Sequence, residues 1–126
     1  SNFAVATDIG EMNDSIFLAL SGCGGVLLES NHDVNMLLNG SYPYNLKQRI
    51  RGKFGHLSNE EAAITCSRLV SSGVSKILLG HLSEENNTPE IALDSARCSI
   101  LKCGVKIPED VYITVAGYGE QELIKI

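Results

Sequence analysis

Residues 75–104 read SKILLGHLSEENNTPEIALDSARCSILKCG, and this stretch decides the fold. SKILLGH (75–81) is a short aliphatic run, the pattern of a buried strand. Thr88 and Pro89 then supply a cap and a first helical turn for EIALDSARCSILKCG, which ends at a glycine. A strand followed directly by a capped helix is one half of a β-α-β unit.

The same alternation extends toward the N-terminus. FAVATD (3–8) and GGVLLES (24–30) read as strands, and NDSIFLALSGC (13–23) as the helix between them, with Asn13 or Asp14 as its cap. VNMLLNG (34–40) and YPYNLKQRIRG (42–52) read as short helices. Ser58 and Glu61 form a capping-box pattern ahead of AAITCSRLVSSG. Further on, VYITVA (111–116) and ELIKI (122–126) read as late strands. Strands alternating with helices predict an α/β layered chain with some parallel pairing. No linker or low-complexity stretch divides it.

Composition narrows the function classes. The chain has 126 residues, enough for one domain or part of one, and 44% are hydrophobic with no Trp, so the core is mainly aliphatic. The formal charge is −5 and no basic run occurs, which is not the footprint of an autonomous nucleic-acid binder. Cys23, Cys66, Cys98 and Cys103 form no Cys-x-x-Cys pair and suit no standard zinc spacing. They read as buried thiols of a reduced compartment, hence a cytoplasmic location. There is no signal peptide and no apolar run of membrane-spanning length.

Chemistry collects at the strand ends, where ligands bind in open α/β sheets. The first strand ends in Asp8, the second in Glu29 followed by Asn31, His32 and Asp33, and the third in His81. His56 stands before the fourth helix. Gly-His-Leu-Ser occurs twice, at 55–58 and 80–83, and holds two of the three histidines. Acids and imidazoles in such places are the ingredients of a divalent-metal or acid–base site. Each also has a structural reading. Asp8 suits a turn with Gly10, Glu29 a surface acid, His56 a helix entrance and His81 a satisfied structural histidine. Together the four tilt toward a site. Residues alone give an α/β domain with a candidate metal centre.

The wording of three stretches goes further. ATDIGEMND, LLESNHDVNMLLNGSYPYNLKQRIRGKFGHLSNEEAA and ILLGHLSEENNTPEIA closely resemble the metallo-β-lactamase-fold hydrolases of the YycJ (WalJ) group, related to tRNase Z and RNase J. The resemblance covers about residues 4–120. It implies the C-terminal half of an αββα sandwich over 1–126, with a mixed sheet and helices on one face. The half that carries His-x-His-x-Asp-His is absent from this sequence. By the resemblance, Asp8 and His81 are metal ligands, and His56 with Glu29 forms a proton relay at the scissile phosphate. The wording departs from the related motifs, with Leu-Glu-Ser for His-Glu-Ala and His-Leu-Ser for His-Ser-Thr. His32 is expected to stand behind the ligands or face substrate, against the reading of a structural histidine. Lys47, Arg49, Arg51 and Lys53 are expected to line a substrate channel, against the reading of a solvated helix face.

The resemblance further implies a phosphodiesterase or nuclease of 5′-to-3′ DNA exonuclease type. Its intact form would hold two divalent ions, zinc or manganese, with few or none in this segment alone. DNA is the expected partner rather than RNA, with no membrane involved. The segment is expected to self-associate through the apolar face that would meet the other half. The competing readings are a hydrolase of thioesters, lactones or cyclic phosphates, and a non-catalytic half-domain.

Overall fold

The computed structural model describes residues 2–117. Its elements run β1 (Phe3–Ala6), α1 (Asp14–Ser21), β2 (Gly25–Glu29), α2 (Val34–Asn39), α3 (Tyr44–Arg51), α4 (Asn59–Ser71), β3 (Lys76–Gly80), α5 (Pro89–Lys102) and β4 (Tyr112–Val115). The four strands pair in the order β1-β2-β3-β4, parallel at every step. The α/β reading therefore holds. The mixed sheet that was expected gives way to parallel pairing throughout the described strands. The strand read at 122–126 lies outside the described residues.

Parallel neighbours need crossovers, and crossovers in proteins are right-handed. Three of them stepping the same way along the sheet carry their helices to the same face. The core reflects this. Ala6, Val26, Leu28, Ile77, Leu79, Ile113 and Val115 alternate along the strands and pack with Leu20 of α1, Ala62, Cys66 and Leu69 of α4, and Ala92, Ala96 and Ile100 of α5. On the opposite face Phe3 and Val5 are 41% and 62% exposed.

The helix starts follow the sequence signals. Asn13 Oδ1 accepts from Ile16 N–H at 2.9 Å, which settles the choice between Asn13 and Asp14. Ser58 Oγ accepts from Glu61 N–H at 3.1 Å, and Thr88 Oγ1 from Ile91 N–H at 3.1 Å. Each satisfies an amide that the helix itself cannot.

The cysteines depart from expectation. Only Cys66 is buried, and burial pushes its thiol up to about 12. Cys23 is half-buried, and Cys98 and Cys103 are exposed toward the end of α5. A helix buries only one stripe, and these two fall outside it. Among the described residues no helix is long and apolar enough to cross a membrane.

Candidate metal and acid–base site

Glu29 is the centre of the site. It closes β2 and is fully buried, in a place where a lone carboxylate would be costly. Three nitrogens face it. His56 Nδ1 lies 2.7 Å from Oε2. His81 Nδ1 lies 3.1 Å from Oε1, and the Asp8 amide N–H also donates to Oε1. The His56 ring nitrogen and the Asp8 backbone donor offset the burial of this carboxylate.

Asp8 and His81 reach Glu29 because their backbones leave the strand direction abruptly. Both are non-glycine residues in the left-handed region, with φ of 59° and 57°. Such conformations cost of order 1–3 kcal/mol and gather at functional sites. Here the turn brings both groups back over the carboxyl ends of β1 and β3. His56 is delivered differently, from the turn between α3 and α4. Its amide N–H donates to Ile50 C=O at 2.9 Å, and a Cβ on the preceding Gly55 would stand 2.2 Å from that same oxygen. Only glycine permits this approach.

The four residues form one cluster. One ligand atom from each of Asp8, Glu29, His56 and His81 lies within 4.8 Å of all the others. Asp8 Oδ1 is 3.5 Å from His81 Nδ1 and 3.8 Å from His56 Nδ1, and the two imidazole rings meet edge to face at 5.2 Å. This group can hold a metal ion, and its nitrogen and oxygen donors suit a divalent one. Ligands sharing one tetrahedral ion, with bonds of about 2.0–2.2 Å, stand roughly 3.3–3.6 Å apart. The Asp8–His81 spacing of 3.5 Å fits that separation. The His56–Glu29 contact of 2.7 Å does not; it is a direct hydrogen bond with no room for an ion between its atoms.

Both Gly-His-Leu-Ser segments are laced to the same four-residue loop after β2. Asn31 N–H donates to Leu57 C=O, and Asn31 C=O accepts from Ser83 N–H. The Asn31 side-chain amide donates to His81 C=O at 2.9 Å. Beneath them, Asn59 and Asn87 form a buried reciprocal amide pair at 2.8 and 2.9 Å. Ser30 Oγ donates to Asn59 Oδ1 at 2.6 Å, and Asn87 Nδ2 donates to Ser30 C=O at 2.9 Å. The ends of β2, the start of α4 and the start of α5 are thus tied at one point. The sequence holds no sign that Asn59 belongs to this knot. Asn59 opens a helix, and nothing in its local sequence separates it from a surface residue.

The other candidates are scattered. His32 is 2% exposed, and the His56 and Arg51 charges add to burial in lowering its ring from 6.5 to about 4, while Asp33 opposes them. Burial is the largest of these causes. Of the four cations around α3, only Arg51 shares a cavity with His32 and His56. Lys47 Nζ is tied to Leu38 C=O at 2.8 Å, Arg49 is exposed, and Lys53 lies 3.9 Å from Glu11 beside the Asp8 loop. The four do not form one channel wall among the described residues.

The lowered His32 value has a thermodynamic consequence. Between about pH 6.5 and 4 the unfolded chain protonates this ring and the folded chain does not. The unfolded state then binds more protons, so stability is full above 6.5 and falls as pH drops through that window. Urea midpoints at pH 7 and pH 5 measure this. The drop is expected to be smaller in His32→Gln, and an equal drop in both would show that another group causes it.

No protein-family model matches the chain, and no solved structure matches it. Curated proteins do. An exodeoxyribonuclease WalJ of Streptococcus pneumoniae is 45% identical over 91 residues, which is 72% of this chain. The exodeoxyribonuclease YycJ of Bacillus anthracis is 39% identical over 89 residues, or 71% of this chain. The stretch matched is 34% of each of those proteins, so the chain spans about a third of the length of the relatives it matches. At this identity, over most of its own residues, the chain belongs to the YycJ/WalJ group.

Proposed function

We propose that this chain is part of a metal-dependent phosphodiester hydrolase acting on DNA, an exodeoxyribonuclease like its relatives. The single observation that carries this is the buried Glu29 with its split company. It hydrogen-bonds His56 directly, while Asp8 and His81 stand at the separation of two ligands on one ion. In this reading Asp8 and His81 hold metal, and His56 with Glu29 moves a proton. The exposed Phe3 and Val5 at the β1 edge of the opposite sheet face are consistent with one half of an αββα sandwich, and with self-association of this segment on its own.

Two divalent ions, zinc or manganese, would supply Lewis acidity at the phosphate and acidify water there. The remaining chemistry belongs to the chain. His56 Nδ1–H donates to Glu29 Oε2, which orients the ring and leaves Nε2 as the nitrogen that exchanges a proton. Water loses one proton to solvent as it adds to phosphorus, the phosphorus–oxygen bond to the leaving group breaks, and that oxygen takes the proton from His56 Nε2, which solvent then reprotonates. The Glu29 carboxylate stabilises the imidazolium before transfer.

The test uses the full-length protein, stripped of metal and titrated with zinc or manganese, with linear DNA and a small phosphodiester as substrates. DNA hydrolysis should appear with added metal and vanish with a chelator. Hydrolysis that is indifferent to chelation, or confined to the small substrate, would overturn the reading.

A further inference from the structure

A cavity of about 250 Å³ opens directly beside His56. His32, Arg51, Ser58, Glu60 and Glu61 line it together with His56. It is smaller than the roughly 300–1,000 Å³ of pockets for drug-sized ligands, so it suits a single sugar or a comparable group. We propose that this cavity receives the terminal sugar hydroxyl of a DNA strand and so recognises a free strand end. The proposal rests on the DNA-hydrolase reading above and names the part of the substrate that this side of the site takes.

The His81 backbone carbonyl accepts from Asn31 Nδ2 at 2.9 Å, which fixes the orientation of that amide. Asn31 Oδ1 must then face His32, and it lies 3.1 Å from Nδ1. An amide oxygen accepts only, so Nδ1 carries the ring proton. The ring is neutral at pH 7, and its Nε2 is left as a bare acceptor. No described residue hydrogen-bonds that nitrogen, although the side chain is 98% withdrawn from solvent and lines the cavity. As part of the cavity lining, the ring offers an acceptor that a bound donor can meet.

The other lining groups narrow the donor. Ser58 Oγ accepts from the Glu61 amide, which leaves its own proton for a ligand oxygen. Arg51 is exposed and cationic, and the cavity abuts the positive end of the 13-residue helix α4. These suit the phosphate that follows a terminal sugar. Glu60 and Glu61 are exposed acids of the same first turn, and they disfavour a dianionic terminal phosphate. In DNA both sugar oxygens of an internal nucleotide are esterified. Only a strand end offers an O–H to His32 Nε2. A site that reads this proton engages ends and passes over the interior.

The experiment compares kcat/KM of the full-length, metal-loaded protein on matched DNA oligonucleotides. Each strand end is tested in turn as hydroxyl, as deoxy with hydrogen in place of the hydroxyl, and as phosphate. At one end the hydroxyl substrate should be cut about tenfold or more faster than the deoxy one. The same substrate should also be preferred over the phosphate. In His32→Ala the hydroxyl-to-deoxy ratio should fall to about one. Equal rates on hydroxyl and deoxy substrates at both ends would overturn the proposal without any variant. So would a phosphate end preferred over hydroxyl, or a preference that survives in folded His32→Ala. DNA hydrolysis without end discrimination sinks this inference alone; absence of DNA hydrolysis sinks the functional reading with it.

Discussion

In the full-length protein, Asp8→Ala and His81→Ala should lose bound metal and DNA hydrolysis together, whereas His56→Ala should keep its metal and lose about 10²–10⁴-fold in turnover. The division follows from separations. Asp8 and His81 stand 3.5 Å apart, right for two ligands on one ion and long for a hydrogen bond. His56 and Glu29 stand 2.7 Å apart and already satisfy each other. Removing His56 takes away a proton donor and leaves the Asp8–His81 pair in place. Glu29→Gln should also lower turnover. Both Glu29 oxygens now accept, so a Gln amide must present its NH₂ to a donor. Adding it to His56→Ala should cost less than the sum of the two, because residues acting as a unit are not additive. Elemental analysis beside steady-state rates reads all of this. If His56→Ala loses metal as completely as His81→Ala, His56 is a ligand and the division fails. If it keeps full activity, His56 is structural.

The second large effect is on stability. Asn59→Ala should destabilise the fold by about 1–3 kcal/mol, since it leaves the Ser30 hydroxyl buried without its partner, while the Asn87 amide keeps Ser30 C=O and the Thr88 N–H. Asn59 is 1% exposed and Asn87 5%, so water cannot readily substitute. The damage should be functional as well. This pair ties the loop after β2 to the starts of α4 and α5, and Glu29, His56 and His81 all stand within a few residues of it. Chemical denaturation gives the first number. A loss below about 0.5 kcal/mol would mean the loops are held by something else.

The sequence by itself determined the elements and their kind. Aliphatic runs at 24–30 and 75–81 had to be strands, and Ser58 and Thr88 had to cap helices, because those choices depend on neighbours three or four residues away. It also offered the four site residues, since Asp8, Glu29 and His81 stand at strand ends and parallel sheets gather their functional groups there. What they do with one another lay beyond it. The sequence reading paired Glu29 with His56. The fold brings His81 and the Asp8 amide to the same carboxylate, across 52 and 21 positions of chain. The four cations at 47–53 looked like one patch in sequence, and helix geometry with a carbonyl at Leu38 and an acid at Glu11 dispersed them. Asn59 looked like any polar helix residue until Asn87 met it from 28 positions away. Local pattern fixes what a segment becomes. Which buried group faces which is decided by long-range packing, because the cost of an unpaired charge or amide is felt only once the chain has closed around it.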